Sequence, residues 1–331
     1  MTSVCRMVGV IPVRLIGIIF FLYLVWQADF HSIYSRWEKI SWIYMVPLPV
    51  ISGLMLTLRA IRWRLLLNSQ GAYLSPQITW VAYAIGVFCG IITPGRLGDL
   101  AKAFYVRNQT GLDWPRSLSS AVIDRLLDIV FMGLATMWAI FYLEFPKTLI
   151  ALIPSENFVL MGGLVFAVFS ILVVATKRFR VSGNSYWLLV VDQLKISLVE
   201  ARGMLNATWW KCIILTLLAY AMYFLLTILL AKSIYMPLLA SQIIAAIVLV
   251  GIASYLPISV AGLGTRDAML LLVMNQLRIE NSLEYTLIFS SLFFVFCFVV
   301  PGSIGFFCLW RQPMSFKGFR KKIEGEIHGQ R

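Results

Sequence analysis

A chain of 331 residues that is 60% hydrophobic, with a mean hydropathy of +0.85, is too apolar to fold as a soluble domain. Its apolar runs reach about 17 to 25 residues, enough to cross a hydrocarbon core as helices, so the expectation is an all-α polytopic membrane protein. The net charge of +13 is dispersed among those runs; this excludes a nucleic-acid partner and reports topology and contact with anionic lipid.

In chain order, Arg6 and Arg14 lead into an apolar run with no A-x-A cleavage site behind it, which predicts a retained first span rather than a signal peptide. Apolar segments follow one another near residues 11–28, 42–58, 77–93, 120–143, 157–176, 209–231, 239–256 and 284–309. The connections carry two Lys or Arg at the N-terminus, two in 29–41, three in 59–76 and four in 94–120. Further on they carry one in 144–156, five in 177–208, one in 232–238, one in 277–283 and six in 310–331. Eight full crossings would put the basic stretches 59–76 and 94–120 on opposite sides, against the rule that Lys and Arg gather on the cytoplasmic side.

The conflict disappears if the third segment dips in, breaks at Pro94-Gly95 and returns to about Asn108, and the seventh returns through 263–277. That predicts about six full transmembrane helices plus two re-entrant helical hairpins entering from opposite faces, as an inverted repeat would give. A third segment that crosses fully, with 96–108 on the surface, is the rival. Both termini would be cytoplasmic and the protein would sit in the cytoplasmic (inner) membrane. One transmembrane domain, 1–310, is expected, with a basic tail, 311–331, against lipid headgroups. Residues 186–206 repeat apolar positions at three and four (Val191, Leu194, Leu198, Ala201, Leu205), which predicts an amphipathic helix on the cytoplasmic interface.

The polar residues of interest lie at the two breaks and in the fourth segment. Pro94-Gly95-Arg96-Leu97-Gly98-Asp99 and Pro257…Gly262-Leu263-Gly264-Thr265-Arg266-Asp267 each place glycines, an Arg and an Asp where an apolar run stops. Arg96, Asp99 and Lys102 are spaced by three, so they share a helical face and can pair. Asp124, Arg125 and Asp128 lie in the fourth segment, and Asp267 should need a partner from another element because sequence neighbours do not face each other on a helix. Each charge at mid-membrane costs about 2.5 to 3.5 kcal/mol on insertion scales, so these eight must face one another, a cavity or the interface. Four cations balance four anions, which a closed salt-bridge scaffold explains without any substrate. Glycine-opened helix starts near mid-membrane instead suit anion binding. The two histidines, His31 and His328, and five scattered cysteines without a CxxC leave no His-based metal site or triad, and no cofactor is expected.

With Arg59-x-x-Arg62-Trp63, the Pro94–Asp99 motif, Arg125-Leu126-Leu127-Asp128 and the Leu256–Asp267 loop, the chain resembles the lysylphosphatidylglycerol synthase membrane-domain family, flippase-like integral membrane proteins. Asp124 and Asp267 stand where that family usually has Glu, and Ala261-Gly262 replaces a Gly pair. The resemblance implies anionic phospholipid or polyprenyl-phosphate-linked substrates and translocation across the bilayer. Some relatives carry an aminoacyl-transferase domain as well, for which these 331 residues leave no room. On this reading Arg96, Lys102, Arg125 and Arg266 engage phosphate, Asp99, Asp128 and Asp267 orient them or carry coupling protons, and Arg62 and Arg64 receive headgroups at the cytoplasmic face. A small membrane transferase using Asp99 or Asp128 as base, and a non-transporting accessory subunit of a cell-envelope complex, are the alternatives. No nucleophile–base pair marks the chain as an enzyme.

Overall fold

The computed structural model of the chain describes residues 21–93, 98–110, 112, 114–144, 185–255 and 262–311. Pro94, Gly95, Arg96, Pro257, the segment at 157–176, most of the first segment and the tail beyond Arg311 lie outside these. All regular structure among the described residues is helical. After a helical stretch at 21–27 come α1 (Phe30–Glu38), α2 (Trp42–Met45), α3 (Leu48–Asn68), α4 (Pro76–Ile92), α5 (Ala101–Thr110) and α6 (Trp114–Tyr142). The second part comprises α7 (Ser185–Ser233), α8 (Ala240–Tyr255), α9 (Thr265–Gln276), α10 (Ser282–Phe294) and α11 (Val300–Arg311).

Trp42–Asn68, Thr208–Ser233 and Ser282–Arg311 are each long and apolar enough to cross a membrane. The α4 and α8 helices are apolar but have only 17 and 16 residues, about 25 Å at 1.5 Å per residue, short of a hydrocarbon core of roughly 30 Å. Ser75 starts α4 by accepting the Ile78 N–H at 3.3 Å, with Pro76 just inside, where its missing N–H costs nothing.

The chain then folds back on α4. A side chain at Gly86 would press on Lys102 Cβ at 3.1 Å, one at Gly90 on the Asp99 carboxylate, and one at Gly98 on the Cys89 carbonyl. Partners that climb on one strand while falling on the other describe a helical hairpin, with α5 as the returning arm. The α8 and α9 helices form the second, through a turn in which Gly262 (φ 80°) and Gly264 (φ 86°) adopt backbone that a side chain would strain.

The helix expected at 186–206 is present, but it is not a separate surface element. It runs unbroken into the apolar segment as the 49-residue α7. Gly203 is the weakest helix former near the junction, followed by Asn206 and Thr208, and an interior glycine costs only about 1 kcal/mol, too little to break a helix.

Two apolar cores flank the molecule's centre. One gathers Trp63, Leu67, Ala82, Tyr83, Ile85 and Tyr105 around the first hairpin, and the other gathers Leu230, Ile247, Val250, Leu270, Val273 and Phe289 around the second. The α10–α11 rod packs along α4 through small residues: Gly305 lies against the Ala84 carbonyl and Phe88, and Gly302 against Ile91. A π-helical turn, Val295–Val299, interrupts this rod, and its Phe296 carbonyl accepts the buried Ser52 hydroxyl of α3 at 2.8 Å.

Candidate substrate cavity

Four charges form a closed knot between α3, α5 and α6. The positions 124 and 128 are one turn apart, so both carboxylates leave the same face of α6 and reach Arg62. The Arg62 Nε donates to Asp124 Oδ1 at 2.8 Å, and Nη1 donates to Asp128 Oδ1 at 2.8 Å and to Thr216 Oγ1 at 2.8 Å. Its Nη2 donates to the Asp124 carbonyl at 3.1 Å. Lys102 pairs with Asp124 Oδ2 and lies over the rings of Tyr83 (4.4 Å) and Trp63 (5.0 Å). Asp124 and Arg62 are 0% exposed. Two cations and two anions, all hydrogen-bonded, are the arrangement in which buried charge is tolerated.

Against this knot lies a second layer that opens on a cavity of about 90 Å³. Arg125 Nη1 stands 3.0 Å from Asp99 Oδ2 and 3.7 Å from Asp128 Oδ2, and its side chain keeps 18% exposure. Its Nη2 reaches Tyr83 Oη at 3.4 Å. Arg59, one turn before Arg62 on α3, also lines the cavity, with its guanidinium 5.4 Å from the Tyr220 ring. Apart from Asp99 and Ser254, the rest of the wall is apolar or aromatic: Met55, Met132, Tyr223, Phe293, Phe298 and Pro301 among others. These residues come from α3, α4, α6, α7, α8 and the α10–α11 rod, so the cavity lies where the two hairpins meet the spans. Its volume is below the roughly 300–1,000 Å³ that encloses a whole small ligand. It has room for a group of about the size of a phosphate, not for a hydrocarbon chain.

The second hairpin differs from the sequence reading. Asp267, expected to need a partner from another element, turns back on its own helix: Oδ2 accepts the Gly264 N–H at 2.8 Å and Oδ1 stands 3.5 Å from Arg266 Nη2. The carboxylate sits in the first turn, where it caps the helix start more closely than any distant cation could. The anion site expected at this glycine-opened helix start is therefore filled by the chain's own Asp267. Arg266 donates to the Ser290 carbonyl at 3.1 Å and packs on Phe293, Phe294 and Phe298 at 5.3, 5.9 and 6.0 Å. Phe293 and Phe298 separate it from the cavity, which it does not line.

Two further pairings are corrected. Asp99 and Lys102 do not pair with each other; Asp99 goes to Arg125 and Lys102 to Asp124. Residues 98–100 form a tighter 3₁₀ turn that changes the spacing of the face, and α6 offers both partners. Arg62, expected to receive headgroups at the membrane face, is instead buried with every donor occupied. Of the described site residues predicted from sequence, Asp99 and Arg125 line the cavity, whereas Arg62, Lys102 and Asp128 support it from behind. Sequence reasoning passed over Arg59, Tyr83 and Tyr220 as site residues. Arg59 carried a signal, since its spacing of three from Arg62 puts both on one face of α3; the tyrosines carried none.

The family model described as Lysylphosphatidylglycerol synthase TM region matches residues 9–305 of the chain. No curated protein and no solved structure matches it.

Proposed function

We propose, since this chain belongs to the lysylphosphatidylglycerol synthase TM-region family, that it translocates an anionic phospholipid or a polyprenyl-phosphate-linked saccharide across the cytoplasmic membrane. The observation that carries this reading is the central cavity: charge at Arg59, Arg125 and Asp99 on one part of the wall, mostly apolar and aromatic side chains on the rest. An amphiphile has the same division. Arg125 is the cation best placed to attract a phosphate, because it keeps some exposure, is held closely by Asp99 and more distantly by Asp128, and its Nε has no hydrogen-bond partner among the described residues. Asp99 holds it in place when no anion is bound. The closed knot of Arg62, Lys102, Asp124 and Asp128 fixes both without taking part in binding.

The short α4 and α8 helices suit hairpins that enter the bilayer from opposite faces and turn back, with both chain termini cytoplasmic. This reading is of a transporter rather than a transferase. An Asp base for group transfer needs a free carboxylate within reach of a substrate proton; Asp128 is engaged by Arg62 behind the cavity wall, and Asp99, which lines the cavity, is paired with Arg125.

The test is reconstitution into vesicles with fluorescent phosphatidylglycerol or a labelled polyprenyl-phosphate lipid in one leaflet. Wild-type protein should speed the loss of label protected from an external quencher, and Arg125→Gln should abolish that gain while remaining monodisperse. Equal rates in protein-free vesicles and in vesicles with either protein would refute translocation and leave the accessory role.

A further inference from the structure

We infer that Arg59 sets the charge of the lipid head that the cavity accepts, pairing with Arg125 to hold one singly charged phosphodiester. This rests on the reading of the cavity as a site for an anionic amphiphile and adds the selecting residue and the head-group charge. Arg62, one turn further along α3, has its donors taken by two carboxylates, a carbonyl and a hydroxyl. Arg59 has no such set. It lines the cavity, faces the Tyr220 ring at 5.4 Å, and its buried Nε has no hydrogen-bond partner among the described residues. It makes no ion pair with any described carboxylate. Asp128 on α6 acts on its charge from beyond ion-pair distance; a buried guanidinium with no anion in direct contact is still costly, and the planar fork of donors matches a phosphate better than a point charge would.

The charge of the wall gives the class of ligand. Among the described lining residues, Arg59 and Arg125 set two positive charges against the one negative charge of Asp99, a net of one. A phosphodiester with a single negative charge neutralises it. A zwitterionic head brings its own ammonium beside two guanidiniums, and a diphosphate leaves surplus negative charge where the dielectric is low and solvent cannot screen it.

The experiment places the purified protein in phosphatidylcholine nanodiscs doped with phosphatidylglycerol, phosphatidylethanolamine or a polyprenyl diphosphate, and counts retained lipid by native mass spectrometry. Inorganic phosphate is added as a soluble competitor. Wild-type protein should retain phosphatidylglycerol above the other lipids. Arg59→Gln should weaken that retention by roughly ten- to a hundredfold, the range for removing a charged hydrogen-bond donor, with Lys232→Gln, an exposed change, as the unaffected control. If Arg59→Gln does not fold, protection of Cys297 replaces it. Cys297 lines the same cavity, so in a protein with the other cysteines replaced, phosphatidylglycerol but not phosphatidylethanolamine should slow its alkylation. Absence of any anionic preference in the wild type would overturn the inference and the cavity reading together. Undiminished phosphatidylglycerol retention by Arg59→Gln, or alkylation slowed equally by both lipids, would overturn the inference alone. Retention of the diphosphate at or above the level of phosphatidylglycerol would overturn the single-charge assignment, and displacement by inorganic phosphate would assign the site to the free ion.

Discussion

At the scale of single residues, the charged groups divide by what surrounds them. Arg62→Gln leaves Asp128 with only the more distant Arg59 and Arg125 and Asp124 with Lys102 as its one direct cation, inside a protein where neither can be hydrated. The expected loss is about 3–5 kcal/mol, read as a fall in melting temperature and in monodisperse yield. Adding Asp128→Asn should recover part of it, because the surviving Lys102–Asp124 pair is neutral; no recovery would show that the knot does not act as a charge-balanced unit. Gly90 makes a different demand. A methyl group there meets the Asp99 carboxylate directly, so Gly90→Ala should push Asp99 away from Arg125 and alter lipid retention more than stability. Unchanged retention in Gly90→Ala would mean that the Asp99–Arg125 pair does not shape the binding wall.

At the scale of elements, the two hairpins use the same motif to different ends. In the first, Asp99 and Lys102 reach across to α6 and tie the returning arm to it. In the second, Asp267 caps its own helix and Arg266 is held by aromatic rings and one carbonyl. Arg266→Gln therefore leaves Asp267 buried against a neutral amide, and the melting temperature should fall. Arg266→Gln with Asp267→Asn should restore much of the loss, since an amide can still accept from the Gly264 N–H. If the double variant melts as low as the single one, the pair is not the element's main support. Gly264→Ala forces a side chain onto backbone at φ 86° and ψ −56° and should cost about 1–3 kcal/mol.

At the scale of the whole molecule, the proposed topology is open to labelling. Single cysteines at Gln77 and Asn108 should both react from the cytoplasmic face, and those at Leu238 and Arg278 from outside. Cysteines at Lys147 and Lys232 should react with an impermeant thiol reagent on intact cells, and those at Arg180 and Lys321 should not. Opposite-face labelling of Gln77 and Asn108 would make α4 a full crossing and remove the inverted repeat.

Much of this architecture was legible because a bilayer narrows the choices. Apolar runs must become helices, so composition and length alone led to an all-helical membrane protein, and Pro and Gly at matched breaks pointed to the hairpins. The charged motif residues were also legible as a set, since charges in an apolar chain have to find one another. Which pairs with which was not. Asp99, Lys102, Asp124 and Asp128 offer several equally spaced pairings along the chain, and only the packing of α5 against α6, with Arg62 arriving from α3, selects among them. The same packing turned Arg62 into a buried strut and exposed Arg59, three residues earlier on one helix, to the cavity. Periodicity assigns residues to a face of a helix; what stands opposite that face is fixed by tertiary contacts, and those decided which charges line the cavity and which lie behind it.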